Sequence, residues 1–224
     1  MANGKWDGMM IQKHIGYTSW NDNFRQDMLP RTTTVPVDSS TGGYTFAAPT
    51  NGYVAMEAEH YYSATASEGT EWSIYPYYGR TRSAVALTPY TNPVGQASLT
   101  YRFALPKDVK GKVKVHVVVK STLDFLNVGG HEYTVSLDGS EPQTVNFNKT
   151  LVDRQPYMYS EFYPAVARRI VEKTVELPVG SADIHELTIS PKHPGIVFEK
   201  IVVDFGGYQP QYLFGEETSV KRSN

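Results

Sequence analysis

The feature that most constrains this chain is a two-residue alternation of apolar and polar side chains, repeated along most of its length. Within residues 98–105, Leu99, Tyr101, Phe103 and Leu105 fall on one side, and Val113, Val115, Val117 and Val119 do the same within 112–119. Successive side chains of a strand point to opposite faces, so each such run buries one face and wets the other. Alternating or short apolar runs also occupy 54–59, 83–87, 133–137, 144–147, 171–177, 185–189 and 196–205. Asp138-Gly139, Val179-Gly180 and Pro194-Gly195 supply reversals between them. About nine short strands with turns between them predict an all-β chain built as an antiparallel β-sandwich. The runs at 109–119 and 196–205 carry the largest β-branched load and are expected at the centre. A helical turn is expected only within 160–167.

Residues 1–34 read differently. Trp6, Met9, Met10, Ile11, His14, Ile15, Tyr17 and Trp20 are dense and lack strict alternation, which predicts a short helix or irregular arm. Such a set is a liability in open water, so the arm either packs on its own domain or belongs to an interface with a neighbouring one. Residues 35–215 are then the sandwich, and polar 216–224 are expected to form a frayed tail.

Composition narrows the partners. The 224 residues suffice for one sizeable β domain, and a net charge of −2 with scattered Lys and Arg argues against nucleic acid. The absence of cysteine removes disulfide and zinc–thiolate designs. No apolar run approaches the ~20 residues of a membrane span, so no membrane partner is expected. The opening MANGKWDGMM lacks a signal-peptide core, so the chain is expected to be cytoplasmic or cut from a longer precursor. The histidines are scattered without ligand spacing, and no nucleophile elbow or phosphate loop is present.

Sixteen tyrosines exceed the needs of a core this size, so some rings are expected at the surface. The stretch 53–89 concentrates the candidates. A strand ending in Glu57 and Glu59 leads to a polar loop, then to Trp72, Tyr75, Tyr77, Tyr78, Arg80 and Arg82. Stacked rings beside guanidinium groups suit a carbohydrate, with Arg80 facing an acidic substituent. The alternative is that Trp72 plugs the sandwich and the tyrosines cover its edge. Glu57 and Glu59, parallel on one strand, would lie on the same side of a substrate, which excludes the flanking geometry of a glycosidase.

These residues carry a resemblance. Met56-Glu57-Ala58-Glu59-His60, Trp72 with Gly79-Arg80-Thr81, Val135 to Gly139, His185-Glu186-Leu187-Thr188 and Pro194 to Asp204 occur in an order that resembles the C-terminal domain of glycoside hydrolase family 115, the xylan α-1,2-glucuronidases. Lys5-Trp6, Met9-Met10, His14 to Tyr17 and Met28-Leu29-Pro30 look like that domain's lead-in arm. The resemblance implies a jelly-roll or galactose-binding-like sandwich, similar to carbohydrate-binding modules. It implies a non-catalytic accessory module, because the family's catalytic centre lies in a preceding barrel. The implied partners are the preceding catalytic and helical domains, a homodimer mate, and xylan or glucuronoxylan, in a secreted or periplasmic parent. An autonomous carbohydrate-binding module is the alternative. The run Tyr75-Pro76-Tyr77-Tyr78 is richer in tyrosine than the family pattern. No cofactor is required, but similar sandwich modules with the same Glu-Ala-Glu hold a structural calcium, which maps onto Glu57, Glu59 and Asp204. Pairing with Lys, Arg or backbone N–H groups is the alternative for these carboxylates.

Overall fold

A computed structural model describes residues 42–222; the 1–34 arm lies outside the described residues. The strands are β1 (Tyr44–Phe46), β2 (Tyr53–Glu57), β3 (Ser63–Thr65), β4 (Glu71–Tyr75), β5 (Ala84–Thr88), β6 (Ser98–Phe103) and β7 (Lys112–Lys120). They continue as β8 (Glu132–Leu137), β9 (Gln143–Asn146), β10 (Ile170–Pro178), β11 (His185–Pro191), β12 (Val197–Asp204) and β13 (Val220–Arg222). One sheet has the order β13-β1-β6-β11-β8-β9 with β3 also on β6, and the other has β10-β7-β12-β5-β4 with β2 also on β12. Pairing is antiparallel except between β1 and β6.

The alternation does what it predicts. Leu99, Tyr101, Phe103, Tyr133, Val135, Leu137, Leu187 and Ile189 point inward from the first sheet. They meet Val113, Val115, Val117, Val119, Phe198, Ile201 and Val203 from the second, giving one continuous core. β12 is central, with β7 on one side and β2 and β5 sharing the other. The register shifts between Phe198 and Lys200, so Glu199 sits at a bulge between the β5-paired and β2-paired halves.

Part of the outer face of the second sheet is also dry. Ala55, Val118 and Val202 are covered by Tyr208 and Phe214, while Ala84, Ala86 and Val197 cluster with Tyr75. Those small floor residues allow large rings to lie close to the sheet.

Two expectations are corrected. Residues 71–75, which none of the expected strands included, form β4, paired in register with β5 from Glu71↔Thr88 to Tyr75↔Ala84. Only Trp72 and Ile74 point to the core there, too few positions to register as alternation. The described part of the 216–224 tail is tied down: Thr218 exchanges hydrogen bonds with the Ala55 backbone, and β13 pairs with β1. Its anchors are one threonine, one glutamate and backbone groups, so hydropathy gives no sign of them. A π-helical turn (Met158–Phe162) runs into α1 (Tyr163–Arg168), which closes on Arg169 at φ 58°; this is the expected helical region. Among the described residues no helix is long and apolar enough to cross a membrane.

Candidate functional site

β4 sends Trp72 and Ile74 toward the core and Tyr75 to the outer face of its sheet. The chain then reverses: Tyr77 adopts φ 59°, and the Tyr78 N–H donates to the Tyr75 carbonyl at 3.3 Å. That turn returns Tyr78 to Tyr75, with ring centroids 6.3 Å apart. Tyr90, beyond the end of β5, donates its O–H to the Tyr75 oxygen at 2.7 Å. Burial, reinforced by that hydrogen bond, pushes the Tyr90 hydroxyl well above its ordinary value, so it remains a donor.

Phe125 forms the opposite wall. Its loop closes on Asp124, which accepts the N–H groups of Val128, Gly129 and Gly130 at 3.2, 2.9 and 2.9 Å. Burial pushes the Asp124 carboxyl up, but these bonds and nearby His131 win and hold it below its usual range. The Phe125 ring stands edge-on to His131 at 4.7 Å, and His131 is fully buried. Gly195 makes room for the ring: a Cβ there would lie 2.5 Å from a Phe125 carbon, and φ is +79°. With Thr122 and Val197, these rings enclose a cleft of about 410 Å³. Tyr78 is 55% exposed and Phe125 52%, so both walls face solvent.

Of the six residues proposed from sequence as a carbohydrate site, Tyr75 and Tyr78 meet in this cleft. Trp72 lies on the other side of its strand, where its indole N–H donates to the Thr65 carbonyl at 2.8 Å and its ring approaches Phe198. Tyr77 is exposed at the turn. The Arg80 amide donates to Glu199 Oε2 at 2.8 Å. Its guanidinium donates to the Tyr212 carbonyl at 3.1 Å and to the Arg168 carbonyl, lying over the Tyr212 ring. Arg82 is half-exposed, 3.8 Å from Glu217. Tyr90, Thr122 and Phe125 were missed, because turns and strand pairing bring them together from distant segments. The tyrosine excess and the large apolar residues Leu123, Phe125, Leu126 and Val128 are the signals available.

The carboxylates expected to hold calcium are not brought together. The Lys200 ammonium donates to Glu57 Oε1 at 2.9 Å and to the Gly215 carbonyl at 2.8 Å, and Thr81 Oγ1 lies 2.7 Å from both Glu57 oxygens. Glu59 is buried, which raises its carboxyl above the ordinary range; His60 opposes this and Glu57 adds to it. Asp204 accepts the N–H groups of Gly206, Gly207 and Tyr208. In register, Glu57 opposes Lys200 while Asp204 opposes Tyr53, an offset of four residues or about 13 Å along the strand. Among the described residues no group of three or more His, Cys, Asp or Glu could hold a metal.

Residues 45–217 match a family model described as the glycosyl hydrolase family 115 C-terminal domain. No curated protein matches the chain. Among solved structures, the chain is similar to a family GH115 4-O-methyl-α-glucuronidase with specificity for decorated arabinogalactans, at 16% identity and a TM-score of 0.47. That match covers 80% of this chain and 20% of the enzyme, so the chain spans about a fifth of its length. A second similar structure is the C-terminal family 6 carbohydrate-binding module of a laminarinase from Zobellia galactanivorans, at 13% identity and a TM-score of 0.41. It covers 68% of this chain and 98% of that one. A third is a carbohydrate-binding module of the Cellvibrio mixtus lichenase 5A in complex with cellotriose, at 15% identity and a TM-score of 0.42, covering 67% and 95%.

Proposed function

The chain belongs to the glycosyl hydrolase family 115 C-terminal domain family, and we propose that it is a non-catalytic accessory module that helps its parent enzyme hold polysaccharide. The supporting observation is the cleft walled by Tyr75, Tyr78, Tyr90 and Phe125. Rings offer flat apolar faces to the C–H faces of a sugar, and phenol hydroxyls at their edges can exchange hydrogen bonds with sugar hydroxyls. Xylan or glucuronoxylan is the polymer this reading favours, and a secreted or periplasmic α-glucuronidase is the parent. An autonomous carbohydrate-binding module would use the same cleft without its neighbours.

A second role, packing against the parent's preceding catalytic and helical domains or a homodimer mate, is favoured by a separate observation. Leu123, Leu126 and Val128 are exposed on one loop, and Tyr159, Tyr163 and Val166 on the helical segment. Large exposed apolar side chains in clusters are a mark of interaction surfaces.

Affinity electrophoresis in xylan and glucuronoxylan gels, with calorimetry on soluble oligosaccharides, tests the first role. Retardation that is lost in Tyr78→Ala and Phe125→Ala is the expected result. A chain that migrates freely and shows no heat at millimolar oligosaccharide is not a glycan-contact module, and packing becomes its function.

A further inference from the structure

We infer that the cleft accepts a neutral, undecorated stretch of polysaccharide and disfavours one whose acidic substituent would have to enter it; this deepens, and rests on, the glycan-contact reading. The polar side-chain groups of the residues that line the cleft are hydroxyls. Tyr90 spends its proton on the Tyr75 oxygen, so Tyr75 keeps its own O–H to donate to a ligand, and Thr122 adds another hydroxyl. No lysine or arginine lines the cleft among the described residues.

Lys120 and Arg80 are already committed to other partners. The Lys120 ammonium lies 4.6 Å over the Tyr78 ring and 2.9 Å from Glu199 Oε1, and Glu199 is buried at the β12 bulge. Turning Lys120 toward a ligand carboxylate would leave Glu199 buried without its counter-charge, which is the expensive way to break an ion pair. Arg80 is anchored by the Tyr212 and Arg168 carbonyls and covered by the Tyr212 and Phe214 rings. A uronate placed between Tyr78 and Phe125 would lose water and gain no charged partner. An unsubstituted sugar ring loses little and stacks. The sequence pairing of Arg80 with an acidic substituent is thereby replaced by a preference of opposite sign.

The test compares xylotriose with the same trisaccharide carrying a glucuronoyl group on its middle unit, by calorimetry at low and high salt. Xylotriose is expected to bind at least about tenfold more tightly, the minimum for a carboxylate desolvated without a partner. Its Kd should change by less than about twofold with salt, since no ion pair forms. Tyr75→Phe should weaken both ligands by removing the donor. Equal or reversed affinities overturn the inference. So does a uronate preference that weakens with salt and disappears in Lys120→Met, or in Lys120→Met combined with Glu199→Gln if the single variant does not fold. If neither ligand binds, or both bind Tyr78→Ala and Phe125→Ala chains unchanged, the glycan-contact reading itself falls and this inference with it.

Discussion

At the scale of single residues, the strongest constraint is a buried ion pair on the outer face of the second sheet. Glu57 and Lys200 are each 2% exposed, opposite one another in register, with the ammonium completing its shell on the Gly215 carbonyl. Removing one partner strands the other, at a cost of about 3–5 kcal/mol. Lys200→Met is therefore expected to lower the unfolding free energy by that amount in urea titrations. Adding Glu57→Gln should recover part of it, because Thr81 can still bond the amide; a double variant no better than the single would show that the pair itself is not the determinant. Histidines set the pH dependence. Burial lowers the His131 pKa and His193 lowers it further, against the pull of Asp124. Its folded value lies below the ordinary 6.5, so its contribution is present above pH 6.5 and is lost as pH falls through the folded value. For His60, burial lowers the pKa, but the hydrogen bond and charge of Glu217, with Glu59, outweigh it and raise it. Its contribution is present below 6.5 and is lost as pH rises through the raised value. Melting temperature should fall on both sides, with His131→Phe flattening the acid limb and His60→Gln the alkaline limb. A variant that shifts the whole curve uniformly would remove that histidine from the account.

At the scale of elements, the C-terminal segment clasps the open side of the sandwich. Glu217 Oε1 accepts the Glu57 amide and bonds His60 at 2.6 Å, Ser219 accepts the Ala47 amide, and β13 pairs with β1. It thus ties β1 of one sheet to β2 of the other. At about 0.5–1.5 kcal/mol per hydrogen bond, ending the chain at Glu216 should lower stability by several kcal/mol. It should also speed amide exchange first in β1 and β2; exchange that rises uniformly across the sheets would contradict a local clasp. The sequence hides this element because a three-residue strand contains too few alternations to be seen, whereas nine-residue β7 is legible from its valine spacing and eight-residue β12 from its β-branched load. The cleft divides along the same line. Tyr75 and Tyr78 are local to one turn and stood out by composition. Tyr90 and Phe125 reach it through a strand pairing and a loop folded over Asp124, which no short window contains. The facing of Trp72 depends on β4 being a strand, and that strand has only two inward residues.

At the scale of the whole molecule, the proposed function makes the aromatic cleft matter through the catalytic domain it would be attached to. On the proposed function, a weak contact here would be converted into avidity by its linkage to a catalytic domain. Once one site holds a polymer, the other meets it at an effective concentration set by the linkage, so affinity for long chains rises without any new contact. A short substrate cannot bridge the two sites and gains nothing. Deleting residues 42–224 from the parent enzyme is thus expected to leave kcat/KM on a short uronate-capped oligosaccharide within about twofold, and to reduce it on the polymer by about tenfold or more. Tyr78→Ala in the intact parent should reproduce the polymer defect alone. If the exposed apolar patches at Leu123 to Val128 and at Tyr159 to Val166 serve mainly to pack against neighbours, the pattern differs. Deletion then lowers activity on both substrates together with the melting temperature of the remaining enzyme, while Tyr78→Ala is silent. The ratio of polymer to oligosaccharide activity therefore separates a module that holds substrate from one that holds the enzyme together.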